Sequence, residues 1–236
     1  MSLHQPDQKT EQSDTTLSGK ITDVLREEIV RGIIKPGTKL NESALSKKHN
    51  VSRGPLREAI NRLVSMGLIT YIPHQGASVI TLEIERIIEL YEIREVLEGK
   101  AAALAAKKMT ADEVSNLKKL MLIHADHYKS NQGKYMQSEG DFDFHFQVIK
   151  GSRNSMLIKQ LCDELYHLIR MFRHQTSLFK SRSDKALQEH QHILYAIEQK
   201  DEALAETAMR SHIKRAKESI MQHTTNAPLN IISNEH

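Results

Sequence analysis

Between Leu82 and Pro228 this 236-residue chain contains no proline and only four glycines, Gly99, Gly133, Gly140 and Gly151. So long a stretch with so few breakers leaves little room for strands joined by tight turns, which draw on Gly and Pro. Its Ala, Leu, Glu, Lys, Met and Ile favour helices instead. The pattern predicts six helices, over 83–107, 110–131, 133–150, 153–180, 184–199 and 201–222. Thr110-x-x-Glu113 has the form of a capping box. Lys200-Asp201 makes a short break between two antiparallel helices, and the alanines of 101–106 suit close helix packing.

The front of the chain has a different texture. A first helix is expected from Ser18 to Arg31, with Ile21, Val24, Leu25, Ile29 and Val30 as its apolar face and Gly32 at its end. Asn41 suits the cap of a short helix through His49, with Ala44 and Leu45 facing inward. After a tight turn, Ser52 caps a second helix with Pro55 in its first turn and Leu56, Ile60 and Leu63 as its buried stripe. Residues 68–72 and 77–80 then alternate like two strands around Pro73-His74-Gln75-Gly76. This is a winged helix-turn-helix. Arg53 and Arg57 stand one turn apart at the start of its second helix, the end with which such a helix probes base edges. A solvated surface role is the ordinary one for arginine. Against it, the guanidinium fork suits guanine O6 and N7.

Charge agrees with that placement. Residues 17–80 carry ten Lys/Arg against five Asp/Glu, residues 1–16 one against three, and the remaining 22 basic and 22 acidic residues cancel. The positive excess therefore sits in the segment that would meet a polyanion. No apolar run approaches the ~18 residues that span a bilayer, so no membrane association is expected. The first sixteen residues lack the apolar core of a secretory signal. A lone cysteine, Cys162, excludes an internal disulfide framework and is read as packing. A cytoplasmic protein is expected. Its parts are a disordered tail over 1–16, the winged domain over 17–80, a helical bundle over 81–223 and a second disordered tail over 224–236.

Pro36-Gly37-x-x-Leu40-x-Glu42-x-x-Leu45, Val51-Ser52-Arg53-x-Pro55-Leu56-Arg57-Glu58-Ala59, Gly67-Leu68-Ile69 and Gly76 resemble the GntR family of bacterial transcriptional regulators. The helical half resembles the FadR-type branch with its FCD effector domain. That likeness rests on Glu92-Ile93-Arg94-x-x-Leu97-Glu98-Gly99, Asp141-x-x-Phe144-His145, Asn154, Glu189-His190 and His212, and six helices look more like the VanR-type subgroup. The resemblance implies base and phosphate contacts by Arg53 and Arg57. It implies backbone or minor-groove contacts by Ser52, His74, Gln75 and Gly76. Asp141, His145, His190 and His212 match the family's divalent-metal ligands, and Arg94 matches an arginine facing the effector pocket.

Spacing bears on the metal reading independently. Asp141 and His145 are i,i+4, which on one helix gives one face. His190 lies about ten residues before the Lys200-Asp201 break and His212 about eleven after it. Helices folding there would carry both imidazoles to one height, ~16 Å from the turn at ~1.5 Å per residue. One carboxylate and three imidazoles would suit Zn first, or Ni, Fe or Mn, with positions open for water or a carboxylate. Core histidines satisfied by hydrogen bonds are the competing account. Arg94 is read either as an ion-pair residue, with Glu98 at i+4, or as a clamp for an effector carboxylate. Asn154 is read either as an effector contact or as a helix cap.

These observations point to a ligand-responsive regulator, most naturally a repressor. It would bind a palindromic double-stranded operator as a homodimer and sense a small organic acid at the metal. The rival is a metal-dependent enzyme with an appended winged helix, since such a site could activate water. No Ser-His-Asp arrangement, HExxH motif or phosphate-cradling glycine loop accompanies it.

Overall fold

The computed structural model describes residues 16–74, 76–81, 83–130, 143–176 and 180–226, with only the backbone for 175, 176, 180–184 and 223–226. The chain divides near Ile80 into two compact units. The first holds α1 (Leu17–Val30), α2 (Glu42–His49), α3 (Arg53–Ser65) and a hairpin of β1 (Ile69–Ile72) and β2 (Gly76–Val79). Thr16 starts α1 by accepting the Gly19 N–H on its hydroxyl. Asn41 does the same for Ala44 at α2, and Asn50 ends that helix in the left-handed region. Gly67, at φ 70°, turns the chain out of α3.

The core of this unit is Leu25 and Ile29 of α1, Leu56, Ala59, Ile60 and Leu63 of α3, and Leu68, Ile69, Ala77 and Val79 of the hairpin. The strands pair antiparallel with Ile69 opposite Val79 and Ile72 opposite Gly76. Residues 37–40 run along the β2 edge through Leu40 N–H to Ala77 O and Val79 N–H to Thr38 O, an addition the sequence pattern did not reveal. Two expected inward positions face water: Val24 is exposed, and so is Ala44, for α2 buries no residue. A helix of eight residues is held here by its caps and its contact with α3 rather than by a buried face of its own. Ser52 occupies the N-cap of α3, but its hydroxyl closes no capping bond.

Among the described residues the second unit is built of helices: α4 (Ile84–Lys108), α5 (Ala111–Ser130), α6 (Phe144–Gly151), α7 (Ser155–Ile158), α8 (Tyr166–Thr176), α9 (Lys180–Glu198) and α10 (Glu202–Asn226). The Thr110–Glu113 capping box is present in both directions. Lys200 takes φ 56° and Asp201 accepts the Leu204 N–H, so the two-residue break reverses the chain into α10. α4 packs most extensively on α10. Ala101, Ala102, Ala103, Ala105 and Ala106 are buried, so little side chain separates α4 from its neighbours. A Cβ on Gly99 would stand 2.5 Å from Arg210 Cγ, and one on Gly151 would stand 2.6 Å from Met109 Cγ.

Two predicted helices differ in the structure. The one expected over 133–150 begins at Phe144, because Asp143 is extended (φ −107°, ψ 117°) and caps it; 131–142 lie outside the described residues. The one expected over 153–180 is interrupted by a wide π-helical segment, Lys159–Glu164, between α7 and α8. At 3.6 residues per turn, Tyr166 would fall on the side opposite Leu157. The wide turn accommodates an extra residue and brings Tyr166 back, so that Leu157, Leu161, Cys162 and Tyr166 are all buried. α10 also continues to Asn226, past the expected end at 222.

The glycine contacts give a test. Gly151→Ala drives a Cβ into buried Met109 and should destabilise the protein by about 1–3 kcal/mol. Gly54→Ala, with nothing within 4 Å of the new carbon, should be neutral or stabilise by up to about 1 kcal/mol. Urea unfolding followed by circular dichroism separates the two; equal effects would count against the packing described.

Candidate nucleic-acid interface and metal centre

The first unit presents a basic helix end. Arg53 is the first residue of α3, exposed and without an ion pair among the described residues. Arg57, one turn on, is 65% exposed, and its Nε donates to Glu42 Oε2 of α2 at 2.8 Å. That exposed pair orients the guanidinium at little cost in stability, so an incoming phosphate oxygen can replace the carboxylate. Lys47 and Lys48 are exposed on α2, and Lys48 pairs with Glu28 at 2.7 Å. At the wing tip His74 is exposed at φ 64°, and Gly76 opens β2 at φ 89°. Gln75 lies outside the described residues.

In the second unit three helices bring three imidazoles to one point. His145 comes from the first turn of α6, His190 from α9 and His212 from α10, and all three are buried. His190 Nε2 is 3.1 Å from His145 Nε2 and 3.2 Å from His212 Nε2, and the last two are 3.3 Å apart. His190 and His212 meet because α9 and α10 fold back at the break, which equal distances from it require. His190 also stacks on the fully buried Phe144 ring, centroid to centroid 4.4 Å.

Two carboxylates set the direction of this cluster. His145 Nδ1 donates to Glu98 Oε2 at 2.6 Å, and His212 Nδ1 donates to Glu189 Oε2 at 2.7 Å. A proton held on Nδ1 by a carboxylate leaves Nε2 with a bare lone pair, the arrangement usual for metal-ligating histidine. Burial pushes the His145 imidazole below its ordinary pKa despite Glu98, so the ring stays neutral. Burial would raise Glu98, but the Arg94 charge and the His145 contacts outweigh it and hold the carboxyl well below the usual range.

Each neutral ring has one proton to give, which limits the hydrogen bonds the three rings can make to one another. If His190 donates its Nε2 proton to one neighbour, the His145 and His212 lone pairs still face each other at 3.3 Å. A cation between the three nitrogens relieves that repulsion. Donors about 2.1 Å from one ion stand about 3.0 Å apart along an octahedral edge and about 3.4 Å apart along a tetrahedral one. The observed 3.1–3.3 Å fall between. The three histidines could therefore hold a metal ion.

Of the other expected residues, Asp141 lies outside the described residues. Since the helix bearing His145 begins at Phe144, the i,i+4 argument does not place the pair on one face. Asp143 is the acid whose place is described. It is fully buried, accepts the His145 and Phe146 N–H groups, and pairs with both terminal nitrogens of Arg173. Burial pushes its carboxyl up, but Arg173 and His145 hold it below its usual range.

Arg94 is 1% exposed, with Nε donating to Glu98 Oε1 at 2.6 Å and its carbon centre 4.5 Å from the Tyr91 ring centroid. Its Nη1 is buried with no acceptor among the described residues. Glu98 thus joins Arg94 to His145, a link sequence spacing offered only in its i+4 half. Asn154 caps α7 by accepting the Met156 and Leu157 N–H groups, the second of its two readings. Cys162 is buried, which pushes its thiol up to about 12 and makes it unreactive.

Residues 17–79 match the family described as bacterial regulatory proteins, gntR family, and residues 89–215 match the FCD domain. The Nta operon transcriptional regulator of Aminobacter aminovorans is 34% identical over 125 residues, 53% of this chain and 59% of that protein. The HTH-type transcriptional repressor RspR of Escherichia coli K12 is 28% identical over 204 residues, 86% of this chain and 88% of that one. The structure of E. coli McbR/YncC aligns at a TM-score of 0.70 and 20% identity, over 88% of this chain and 98% of that one, a likeness of fold. Both domains and these relatives are those of regulators and not of enzymes. No described helix is long and apolar enough to cross a membrane. The chain belongs to the GntR family of DNA-binding transcriptional regulators, with a helical FCD domain behind its winged helix-turn-helix.

Proposed function

We propose that this regulator is a cytoplasmic repressor that binds a palindromic operator as a homodimer and responds to a small organic acid held in the helical domain. One observation carries the sensing half: a buried arginine whose Nη1 has no acceptor among the described residues is tied through Glu98 to a cluster of three converging imidazoles. A buried guanidinium nitrogen without an acceptor is costly, and a carboxylate beside it would supply one. His145, His190 and His212 would hold a divalent metal, Zn before Ni, Fe or Mn, with Asp141 as a fourth ligand. The ion supplies a positive charge and open positions for an acid's oxygens. Glu98 and Glu189 keep the imidazoles aimed, Phe144 fixes the His190 ring, and Arg94 receives the acid's remaining oxygen. Asn154 is kept as an effector contact only through the loop it organises, since its side-chain oxygen already caps α7.

On the DNA side, Arg53 and Arg57 read bases and phosphates from α3, while Ser52, His74, Gln75 and Gly76 contact backbone or minor groove. Two-fold symmetry in the protein would be mirrored in the operator half-sites. Acid binding shifts the population between states of different operator affinity only as far as its own affinity differs between them.

Three measurements test this reading. Arg53→Ala should weaken specific operator binding by about 1–3 kcal/mol and lower discrimination against random DNA, read by a gel-shift titration. Unchanged discrimination would remove Arg53 from base readout. The double change His190→Ala with His212→Ala should leave no metal after dialysis, by elemental analysis, with operator binding of the metal-free protein preserved. Equal metal in mutant and wild type would refute the ligand assignment. Arg94→Met should keep the metal yet lose the rise in melting temperature given by metabolic acids such as citrate or lactate, a mass-action effect of binding. A retained shift would take the carboxylate clamp away from Arg94.

A further inference from the structure

The outward face of α4 carries Glu89, Ile93, Val96 and Lys100, at steps of four, three and four residues. That spacing makes one seam along a helix, the pattern by which helices pack on one another. Ile93 is 49% and Val96 56% exposed, so two large apolar side chains lie side by side in water. Glu89 and Lys100 flank them, both exposed and both without an ion pair among the described residues. Several other charges of α4 are engaged within the unit, Glu92 with Lys217, Glu95 with Arg210, Lys107 with Glu202 and Arg94 with Glu98, while the exposed Glu85 and Arg86 lie toward its N-terminal end, away from the apolar pair.

We infer that this seam is where a second copy of the chain packs, its α4 running antiparallel to the first. The charge pattern selects that occupant and that direction. Glu89 and Lys100 lie equally far from the midpoint between Ile93 and Val96. A two-fold axis through that midpoint sets Ile93 against Val96 of the second copy. It also sets Glu89 against Lys100 of the second copy, and each of these pairings occurs twice, as an isologous interface demands. Parallel packing would set Glu89 against Glu89 and Lys100 against Lys100, a like-charge arrangement that rejects it. The seam forms the centre of the contact and not all of it, since a stable interface buries about 800 Å² on each side. This inference rests on the homodimer reading and adds to it the surface and the register.

Sedimentation velocity of the full-length protein over a dilution series tests it. Glu89→Lys and Lys100→Glu each turn two attractive pairs into two repulsive ones. Each alone should raise the dimer Kd about ten- to a hundredfold. Both residues are exposed, so neither change disturbs folding. An equimolar mixture of the two single variants should restore wild-type association, because every charge then meets its opposite across a mixed dimer. A wild-type dimer that neither variant weakens, or a mixture that restores nothing, overturns the seam and leaves the dimer standing. A wild type that is monomeric at every concentration overturns the dimer as well.

Discussion

Three imidazole nitrogens held within 3.3 Å of one another, away from water, are the constraint around which the helical unit is organised. Neutral rings can meet that geometry only by sharing the His190 Nε2 proton between the other two nitrogens, whereas a cation would face all three lone pairs. The protein enforces it by placing Glu98 and Glu189 behind two of the rings and Phe144 against the third. Close approach of the helices is then required. The buried alanines of α4 and the glycine facing Arg210 leave α10 room to lie against α4, while the tight Lys200–Asp201 turn holds α10 to α9. The Asp143–Arg173 pair and the cap on α6 fix where His145 starts.

The winged unit follows a different economy. Its core is small, and the residues proposed above to meet DNA are exposed: the first turn of α3, the Arg57–Glu42 pair and the left-handed wing tip at His74. Exposed ion pairs of this kind exchange readily. They hold a cation in place without committing it, which would suit the proposed exchange of a carboxylate for a phosphate. In the helical unit the same types of group are buried, and there each must be matched. Arg94 Nη1 is buried with no acceptor among the described residues, which is why a ligand is proposed beside it.

What could be read in advance depended on how local the determining interactions were. The winged unit was legible because caps, a proline in a first turn and alternating strands act within a few residues, although Val24, Ala44 and the edge formed by 37–40 were not. His190 and His212 were legible as neighbours because a two-residue break makes helix heights countable. For Asp141 and His145 the counting assumed one helix through both; the described helix starts at Phe144, and Asp141 lies outside the described residues. Glu98 was legible as the i+4 partner of Arg94 but not as the orienting group of His145, 47 residues away in the chain. The wide turn at Lys159–Glu164 gave no local signal, because it answers to the need to bury Tyr166 together with Leu157.

The amino-acid order alone settled the two-part layout, the helix-turn-helix with its basic leading turn, and the family, because these follow from short-range propensities and residue spacing. The tertiary structure alone decided how closely the three histidines approach, which carboxylates aim them and that Arg94 Nη1 is buried with no acceptor among the described residues. Those are distances between residues remote in the chain, and only the packing of whole helices sets them.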